Sequence, residues 1–229
     1  REYANIRGKD ISMIFQEPMT SLNPVVKVGK QVMEAIILHE HISKTEAKQR
    51  VIEIFNEVGI PEAEKRFNSY PHELSGGLRQ RVMIGMAMIC KPKLLIADEP
   101  TTALDVTIEA QILRLMKRLC EESGTSIMMI THNMGVVAEI CDYVYVMYAG
   151  RVVESAPTKT LFNETAHPYT SGLLKSIPAI GKKQKRLYTI KGNVPNILNL
   201  PEGCRFADRC DLTQNICLSD RPKDDYITD

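Results

Sequence analysis

The sequence predicts an α/β fold in which a parallel sheet carries an inserted helical subdomain and a C-terminal extension. Short apolar runs alternate with amphipathic helical segments, which is the pattern of a parallel sheet covered by helices. Two helical segments follow each other without an intervening strand in residues 29–58, and they predict the helical insertion. From Pro157 onward the sequence is enriched in Pro, Asn, Lys and Cys, and we expect a separate C-terminal module there.

Four short apolar runs bounded by polar residues predict the strands. They lie at residues 11–15, 94–97, 126–131 and 143–148. The last run is followed by Ala149-Gly150 and by another short run at residues 151–154, which together predict a β-hairpin.

Helices are predicted at residues 29–40, 43–58, 77–90 and 105–122. Ser43 and Glu46 form a capping box at the start of the second helix, and Gly59 ends it. The fourth helix carries an apolar face formed by Ile108, Ile112, Leu115 and Leu119.

The composition excludes several classes of protein. The chain has 229 residues, of which 44% are hydrophobic and 25% charged, as in an average soluble globular protein. The formal net charge is +1, so charge gives no indication of a nucleic-acid partner. No apolar stretch reaches the roughly 20 residues of a membrane-spanning helix, and no signal peptide opens the sequence. We therefore expect a soluble, cytoplasmic protein that binds no nucleic acid.

Polar side chains follow three of the predicted strands at the point where each strand ends. Gln16 follows the first strand, Asp98 and Glu99 follow the second, and His132 follows the third. Ligands of parallel sheets bind at the carboxyl ends of the strands, so we expect these residues at one edge. Polar residues also simply end strands, which is a sufficient explanation for Gln16 or His132 taken singly. Two adjacent carboxylates after a buried strand repel each other and favour a cation.

A second pattern, Leu-Ser-Gly-Gly at residues 74–77, opens the third predicted helix. Ser75 is a favourable N-cap, and Gly76 and Gly77 allow a ligand to approach bare backbone. A helix N-terminus with exposed N–H groups favours anions. The alternative is an ordinary Ser-capped helix after a turn, with Arg79 and Arg81 on a solvated face.

Together these motifs resemble those of the ATP-binding cassette (ABC) ATPases. In chain order they are Gln16 as the Q-loop glutamine, residues 74–77 as the signature, 94–100 as Walker B, 102–105 as the D-loop and 131–132 as the H-loop. Leu78 stands where the family most often has Gln, and we expect the change to be tolerated. The resemblance implies an incomplete P-loop NTPase sheet with three parts: a partial ATPase core at 1–27 and 92–156, a helical subdomain at 28–91 and an extension at 157–229.

The resemblance also implies roles for single residues in ATP hydrolysis. Asp98 and Gln16 would hold Mg²⁺, Glu99 would polarise the attacking water, and His132 would donate to the γ-phosphate. Gln16 would also couple the site to the partner subunit. Phosphoryl transfer depends mainly on positioning and charge neutralisation, and these residue types suit both tasks.

The remaining motif residues would act across a dimer interface. Ser75, Gly76 and Gly77 would close on the ATP that the opposite protomer holds, and Asp105 would lie across the same interface. The phosphate loop Gly-x-x-x-x-Gly-Lys-[Ser/Thr] does not occur in the sequence, since Gly29-Lys30 is followed by Gln31. We expect that loop, the first strands and the adenine-stacking aromatic to lie outside this chain, which alone would bind ATP weakly or not at all.

Several segments are similar to one branch of the family, the oligopeptide and dipeptide importers. They are residues 16–24, residues 101–107, and a tail with His167-Pro168-Tyr169-Thr170, Gly192-Asn193-Val194-Pro195 and Gly203-Cys204. The resemblance implies an ATP-hydrolysing subunit that pairs with a second ATPase subunit, identical or different. The pair would dock under two membrane permeases on the cytoplasmic face of the membrane, and an extracytoplasmic peptide-binding protein would supply the cargo.

Two alternatives remain open from the sequence. One is a non-catalytic interaction protein derived from the cassette, which the absent phosphate loop permits. The other is an importer ATPase for another cargo, such as nickel, glutathione or sugar-linked compounds, because an ATPase subunit does not contact cargo. A DNA-repair ATPase is disfavoured because residues 17–74 are too short for a long coiled-coil insertion and lack heptads.

The cysteines form two groups. Cys90, Cys120 and Cys141 lie in apolar segments and are predicted to be core thiols. Cys204, Cys210 and Cys217 are separated by five and six residues, wider than the spacing of a zinc knuckle. The family resemblance implies that they bind a [4Fe-4S] cluster with a fourth cysteine in the intact protein. The alternative is three ordinary thiols. The basic run at 182–186 is predicted to be a solvated linker, or else to contact anionic lipid.

Overall fold

The computed structural model describes residues 2–16, 21–102, 104–177, 188–223 and 225. The chain forms two compact units, residues 1–132 and 133–229. The three-part domain division expected from the sequence stays a prediction. The basic run at 182–186, residues 17–20 of the Q-loop segment and Ala103 of the D-loop lie outside the described residues.

A three-stranded parallel sheet forms the centre of the first unit. Its strands are β1 (Ile11–Ile14), β2 (Leu94–Asp98) and β3 (Ser126–Ile130), in the spatial order β1-β2-β3. Both pairs are parallel, with Ile14 opposite Ala97 and Asp98 opposite Ile130. The predicted parallel α/β architecture is therefore confirmed, and the carboxyl ends of the three strands are level with one another.

Four helices of the first unit agree with the predicted ones to within a few residues, and two short helices, at Glu2–Ile6 and Ala63–Arg66, were not predicted. In chain order the helices are α1 (Glu2–Ile6), α2 (Val28–Ile37), α3 (Lys44–Glu57), α4 (Ala63–Arg66), α5 (Gly76–Met88) and α6 (Val106–Ser123), with a 3₁₀ turn at Pro71–Glu73. Ser43 caps α3, since its hydroxyl accepts a hydrogen bond from the Glu46 backbone N–H at 3.2 Å. Gly59 follows α3 in the left-handed region at φ +74°, where a Cβ would be strained.

One face of the sheet packs on the helices, and that interface forms the main hydrophobic core. The sheet contributes Ile14, Leu95 and Ala97, all completely buried. The helices contribute, among others, Val32, Val51, Phe55, Ile84, Ile112 and Met116. Of the predicted stripe on α6, Ile112, Leu115 and Leu119 are buried and Ile108 is partly buried. The packing anchors β2, which carries Asp98 at its carboxyl end.

The opposite face of the same sheet is open. Ile11 and Met13 of β1 and Met128 and Ile130 of β3 are 38–47% exposed. Parallel sheets are ordinarily covered on both faces, because their strands are apolar on both sides. The described residues therefore cover only one side of this sheet.

The second unit begins with α7 (Met134–Ile140) and a β-hairpin. Strands β4 (Tyr143–Tyr148) and β5 (Arg151–Pro157) pair antiparallel through the turn Ala149-Gly150, in which both residues have positive φ. The hairpin is confirmed, but its second strand extends three residues beyond the predicted end. Tyr143 pairs with Pro157, so the full length of β4 finds a partner.

The C-terminal extension continues with short helices and an aromatic cluster. The elements are α8 (Thr158–Asn163), α9 (Pro168–Lys175), a 3₁₀ turn at Ala207–Arg209 and α10 (Ile216–Ser219). Phe206 is 3% exposed and lies 5.2 Å from the ring of Tyr148 and 5.4 Å from that of Tyr169. These contacts fix the tail to the hairpin. None of the helices in the described ranges is both long and apolar enough to cross a lipid bilayer.

Candidate active site

The ends of the three parallel strands bring together three of the predicted site residues. Gln16, which follows β1, donates from Nε2 to Glu99 Oε2 at 3.0 Å. His132, which follows β3, places its Nδ1 2.9 Å from Glu99 Oε1. Glu99, which follows β2, is therefore the centre of a cluster (Gln16, Glu99 and His132) that we call the carboxylate cluster. The residues are 83 and 33 positions from Glu99 in sequence and meet only because the strands are parallel and in register.

The backbone of the turn after β2 orients the Glu99 carboxylate. Glu99 has a φ of +43°, uncommon for a residue with a Cβ and a conformation that its surroundings must maintain. Its N–H donates to Ile130 O at 2.9 Å, which extends the pairing with β3 by one residue. Thr102 donates from Oγ1 to Glu99 Oε2 at 2.9 Å and from its N–H to Glu99 O at 3.1 Å. Thr102 was expected only as part of the D-loop, and its contact with Glu99 was not predicted, although a hydroxyl three residues after a carboxylate is a recognisable local signal.

Hydrogen bonds to Glu99 stabilise its charged form. They lower its pKa: the largest contribution comes from His132 and the next from Thr102, with a smaller one from Gln16, while partial burial acts in the opposite direction. Glu99 is therefore a carboxylate at neutral pH. A carboxylate stabilised in this way is a good hydrogen-bond acceptor for a water molecule and a weak proton acceptor. The cluster can orient a water molecule without binding its proton in the ground state.

Asp98 is the last residue of β2 and lies beside the carboxylate cluster in sequence. It is partly buried and pairs through its backbone with Ile130. Its carboxylate and the amide oxygen of Gln16 are of the ligand type that Mg²⁺ prefers, and Mg²⁺ usually takes only one or two protein ligands besides phosphate and water. The donor set therefore fits Mg²⁺ bound together with a nucleotide. Within the described ranges, no group of three or more His, Cys, Asp or Glu residues is arranged to hold a metal alone.

The signature residues form the first turn of α5. Ser75 caps the helix, as predicted, with its hydroxyl accepting from the Leu78 N–H at 3.4 Å. Ser75 and Gly76 are exposed, whereas Gly77 packs closely on α6. A Cβ added to Gly77 would lie 3.3 Å from Ile108 Cγ2, a tight contact to which the Ile108 side chain would have to adjust.

The chain does not bring the signature turn to the carboxylate cluster. Among the residues that the structure describes, no hydrogen bond or ion pair joins Ser75, Gly76 or Gly77 to that cluster. Asp105 occupies the N-cap position of α6, but its exposed carboxylate makes no capping hydrogen bond. The predicted site residues thus form two separate groups in one chain.

Two side chains that follow the signature make contacts that were not predicted. Arg81 donates from Nη1 to Val58 O at the C-terminal end of α3, so the idea that it lies on a solvated face is wrong. Gln80 is buried and donates from Nε2 to Pro100 O, the carbonyl directly after Glu99. A buried Gln in an otherwise apolar helix face is a signal that the sequence analysis passed over.

The three C-terminal cysteines are not arranged as a metal-binding group in the described part of the chain, and the iron–sulfur cluster stays a prediction. Cys204 and Cys217 are joined through the backbone, with the Cys204 N–H donating to Cys217 O at 2.8 Å. The Cys210 thiol accepts from the Leu212 N–H at 3.4 Å. In the other group, Cys120 is buried, as predicted, and burial raises the pKa of its thiol to about 11, whereas Cys90 and Cys141 are only partly buried.

Two family models match the chain. A model of the ABC transporter family matches residues 2–102, which include Gln16, the signature turn and Glu99. A model described as the C-terminal region of oligopeptide/dipeptide transporters matches residues 153–217, which include the cysteine-containing tail.

Curated relatives cover nearly all of the chain. It is 57% identical over 221 residues to the oligopeptide transport ATP-binding protein AppD of Bacillus subtilis, covering 96% of this chain and 67% of AppD. It is 52% identical over 225 residues to the oligopeptide transport ATP-binding protein OppD of Escherichia coli, covering 98% of this chain and 67% of OppD. The chain thus spans about two thirds of the length of these relatives.

Among solved structures, the chain resembles the ATP-binding cassette MJ0796. The match to its dimeric post-hydrolysis state with bound ADP and Pi has a TM-score of 0.61 at 29% identity, and covers 69% of this chain and 66% of that one. A second dimeric structure of MJ0796 matches with a TM-score of 0.60 at 30% identity.

Proposed function

This chain belongs to the ABC transporter family, in its oligopeptide and dipeptide branch, and we propose that it is part of the ATP-hydrolysing subunit of an importer of oligopeptides or dipeptides. The observation that carries the proposal is the carboxylate cluster at the ends of β1, β2 and β3. It presents one ionised carboxylate between an amide and an imidazole, which are the groups needed to orient a water molecule beside a phosphate.

Each member of the cluster has a separate task in this proposal. Glu99 accepts a hydrogen bond from the attacking water and orients it towards the γ-phosphate. His132 donates from Nδ1 to the Glu99 carboxylate, and its Nε2 donates to a phosphate oxygen only in the imidazolium form, in which both ring nitrogens carry a proton. Gln16 uses its amide nitrogen to hold the opposite oxygen of Glu99, so both carboxylate oxygens are restrained.

Asp98 and Gln16 are the residues that would hold Mg²⁺. When bound, the ion neutralises charge on the β- and γ-phosphates of ATP. Asp98 contributes a carboxylate at the end of a rigid, buried strand, and Gln16 contributes an amide oxygen at the end of the neighbouring one.

The signature turn would act on ATP bound to a second ATPase subunit. Its exposed first residues, Ser75 and Gly76, make no hydrogen bond to the carboxylate cluster of their own chain, which is consistent with a ligand that two subunits contact together. The exposed carboxylate of Asp105, which makes no capping hydrogen bond to α6, is available for the same interface. The dimeric state of the solved relative MJ0796 supports this arrangement, in which the second subunit is identical or different.

The names of the relatives support transport as the process that hydrolysis drives. We propose that two permease subunits at the cytoplasmic face of the membrane receive the helical subdomain, residues 28–91, together with the Q-loop segment. A peptide-binding protein on the outer side would deliver the cargo.

ATP hydrolysis tests the proposal in the polypeptide that contains this chain and a phosphate loop of the type Gly-x-x-x-x-Gly-Lys-[Ser/Thr]. Glu99→Gln preserves the size of the side chain but removes the charge that orients water. We expect turnover to fall below detection while ATP binding stays within about twofold of the wild type. Glu121→Gln, an exposed carboxylate on α6, serves as the matched control and should leave both quantities unchanged. ATP hydrolysis at the wild-type rate by Glu99→Gln would contradict the role of Glu99. Absence of ATP hydrolysis by the wild type would favour the non-catalytic alternative.

A further inference from the structure

We propose that Gln80 is a positioning residue that ties the turn carrying Glu99 to the helix that presents the signature motif. The inference rests on the proposed ATPase function, because it assigns Gln80 to the geometry of that same site. Gln80 touches neither substrate nor the carboxylate cluster, and it acts through the backbone of Pro100.

The contact joins two elements that are distant in sequence. Gln80 lies on α5, five residues after the signature serine, and only 1% of it is exposed. Its Nε2 donates to Pro100 O across 20 positions of sequence, at 2.5 Å. Pro100 is buried as well and directly follows Glu99.

This contact restrains a turn that needs support. Glu99 holds a positive φ, an unfavourable conformation for a residue with a Cβ, which contacts from the surrounding structure must maintain. Two successive carbonyls of the turn are held by hydrogen bonds: Glu99 O accepts from the Thr102 N–H, and Pro100 O accepts from Gln80. Movement of the Pro100 carbonyl would shift the residue that directly follows Glu99 and, through it, the direction of the carboxylate.

Packing alone does not account for an amide at this position. Gln80 Oε1 is buried and finds no hydrogen-bond partner among the described residues. A buried acceptor without a donor is destabilising, and an apolar side chain of the same length would fill the space without that cost. The feature that distinguishes Gln80 from such a side chain is the N–H donor that holds Pro100.

The surrounding contacts extend the link towards the dimer interface. A Cβ added to Gly77 would lie 3.3 Å from Ile108, and one added to Gly76 would lie 4.0 Å from Leu104, so the first turn of α5 also rests on the segment after Pro100. Within one chain, the signature turn and Glu99 are therefore fixed to the same segment. In the proposed dimer these two groups serve different ATP molecules, and Gln80 would transmit a displacement of one group to the other.

Steady-state kinetics of Gln80→Met in the polypeptide that contains the phosphate loop tests the inference. Methionine retains the length and burial but donates no hydrogen bond. We expect kcat to fall about 10- to 100-fold while KM for ATP stays within about twofold, since misplacement affects the reacting geometry rather than nucleotide binding. The midpoint of thermal unfolding should change little, because the substitution leaves Pro100 O without a donor but removes the unpartnered Oε1. Ile84→Val, a fully buried position on the same helix, is the control and should retain the wild-type kcat.

Amide hydrogen exchange gives a second readout that does not depend on hydrolysis. In Gln80→Met the Thr102 amide, which bonds to Glu99 O, should exchange faster, whereas amides in the middle of β2 should keep the wild-type rate. A kcat within twofold of the wild type, an equal loss of kcat in Ile84→Val, or unchanged exchange at Thr102 would overturn the inference. Absence of hydrolysis in the wild type would count against the proposed function, and the exchange measurement would then decide about Gln80 separately.

Discussion

The carboxylate cluster and the C-terminal cysteine group show two different relations between sequence and site. Gln16, Glu99 and His132 are far apart in the chain, yet hydrogen bonds of 2.9 and 3.0 Å connect them. The three cysteines lie within 14 consecutive residues at the end of the chain, yet among the described residues they do not form a metal-binding group.

The difference lies in what fixes each set of residues. Parallel strands that share a register bring their carboxyl ends to one edge of the sheet, so polar residues that follow these strands lie close together. The cysteines lie among turns and short helices, where spacing in sequence does not define the direction of a side chain. Strand register is therefore a stronger predictor of a site than proximity in sequence.

The largest effect should come from breaking the carboxylate cluster at His132. His132→Ala removes the hydrogen bond that lowers the pKa of Glu99 most and the ring nitrogen proposed to bind phosphate, and we expect turnover to fall about 100-fold or more. Loss of that bond also raises the pKa of Glu99 towards its ordinary value. Since activity needs the ionised carboxylate, the acid limb of the pH–rate profile should move to higher pH, as steady-state assays between about pH 4 and 8 would reveal.

His132→Gln is the informative companion, because an amide still donates to Glu99 without an imidazole. In this variant the acid limb of the pH–rate profile should return most of the way to its wild-type position, whereas the turnover should stay below that of the wild type. A variant without His132 that kept the wild-type profile would show that the cluster is not the reacting site.

The sheet and the helix that follows the signature motif show how much of the structure the sequence could predict. The sheet, the order of the strand ends and the Ser75 cap follow from local patterns, because apolar runs and N-cap residues act over a few positions. The contacts of Gln80 with Pro100 and of Arg81 with Val58 could not be predicted, since they depend on how α5 packs against elements 20 or more residues away. The positive φ of Glu99 likewise results from its tertiary contacts rather than from its residue type.

A smaller effect is expected in the tail at Gly203, where two segments approach closely. A Cβ on Gly203 would lie 2.3 Å from Cys217 O and 2.8 Å from the Leu218 carbonyl carbon, which are backbone atoms that cannot rotate away. Gly203→Ala should therefore destabilise the second unit by about 1–3 kcal/mol. Chemical denaturation would measure the change, with Glu202→Ala at the exposed neighbouring position as the control. Equal stability of the two variants would mean that the tail does not hold this close contact.

The smallest effect is expected from replacing all three tail cysteines by serine. Their thiols are only partly buried, and the Cys210 contact with the Leu212 N–H can be made by a hydroxyl, so the free energy of unfolding should change by less than about 1 kcal/mol. Elemental analysis of the purified protein should give the same iron and zinc content before and after the change. Cys120→Ser is the matched control in the core: it places a hydroxyl in a buried apolar site, and it should cost more than the three tail changes together. If the wild type instead contained stoichiometric iron that the triple variant lacked, the three cysteines would be metal ligands. Proximity in sequence would then have predicted a site that has no basis in strand register.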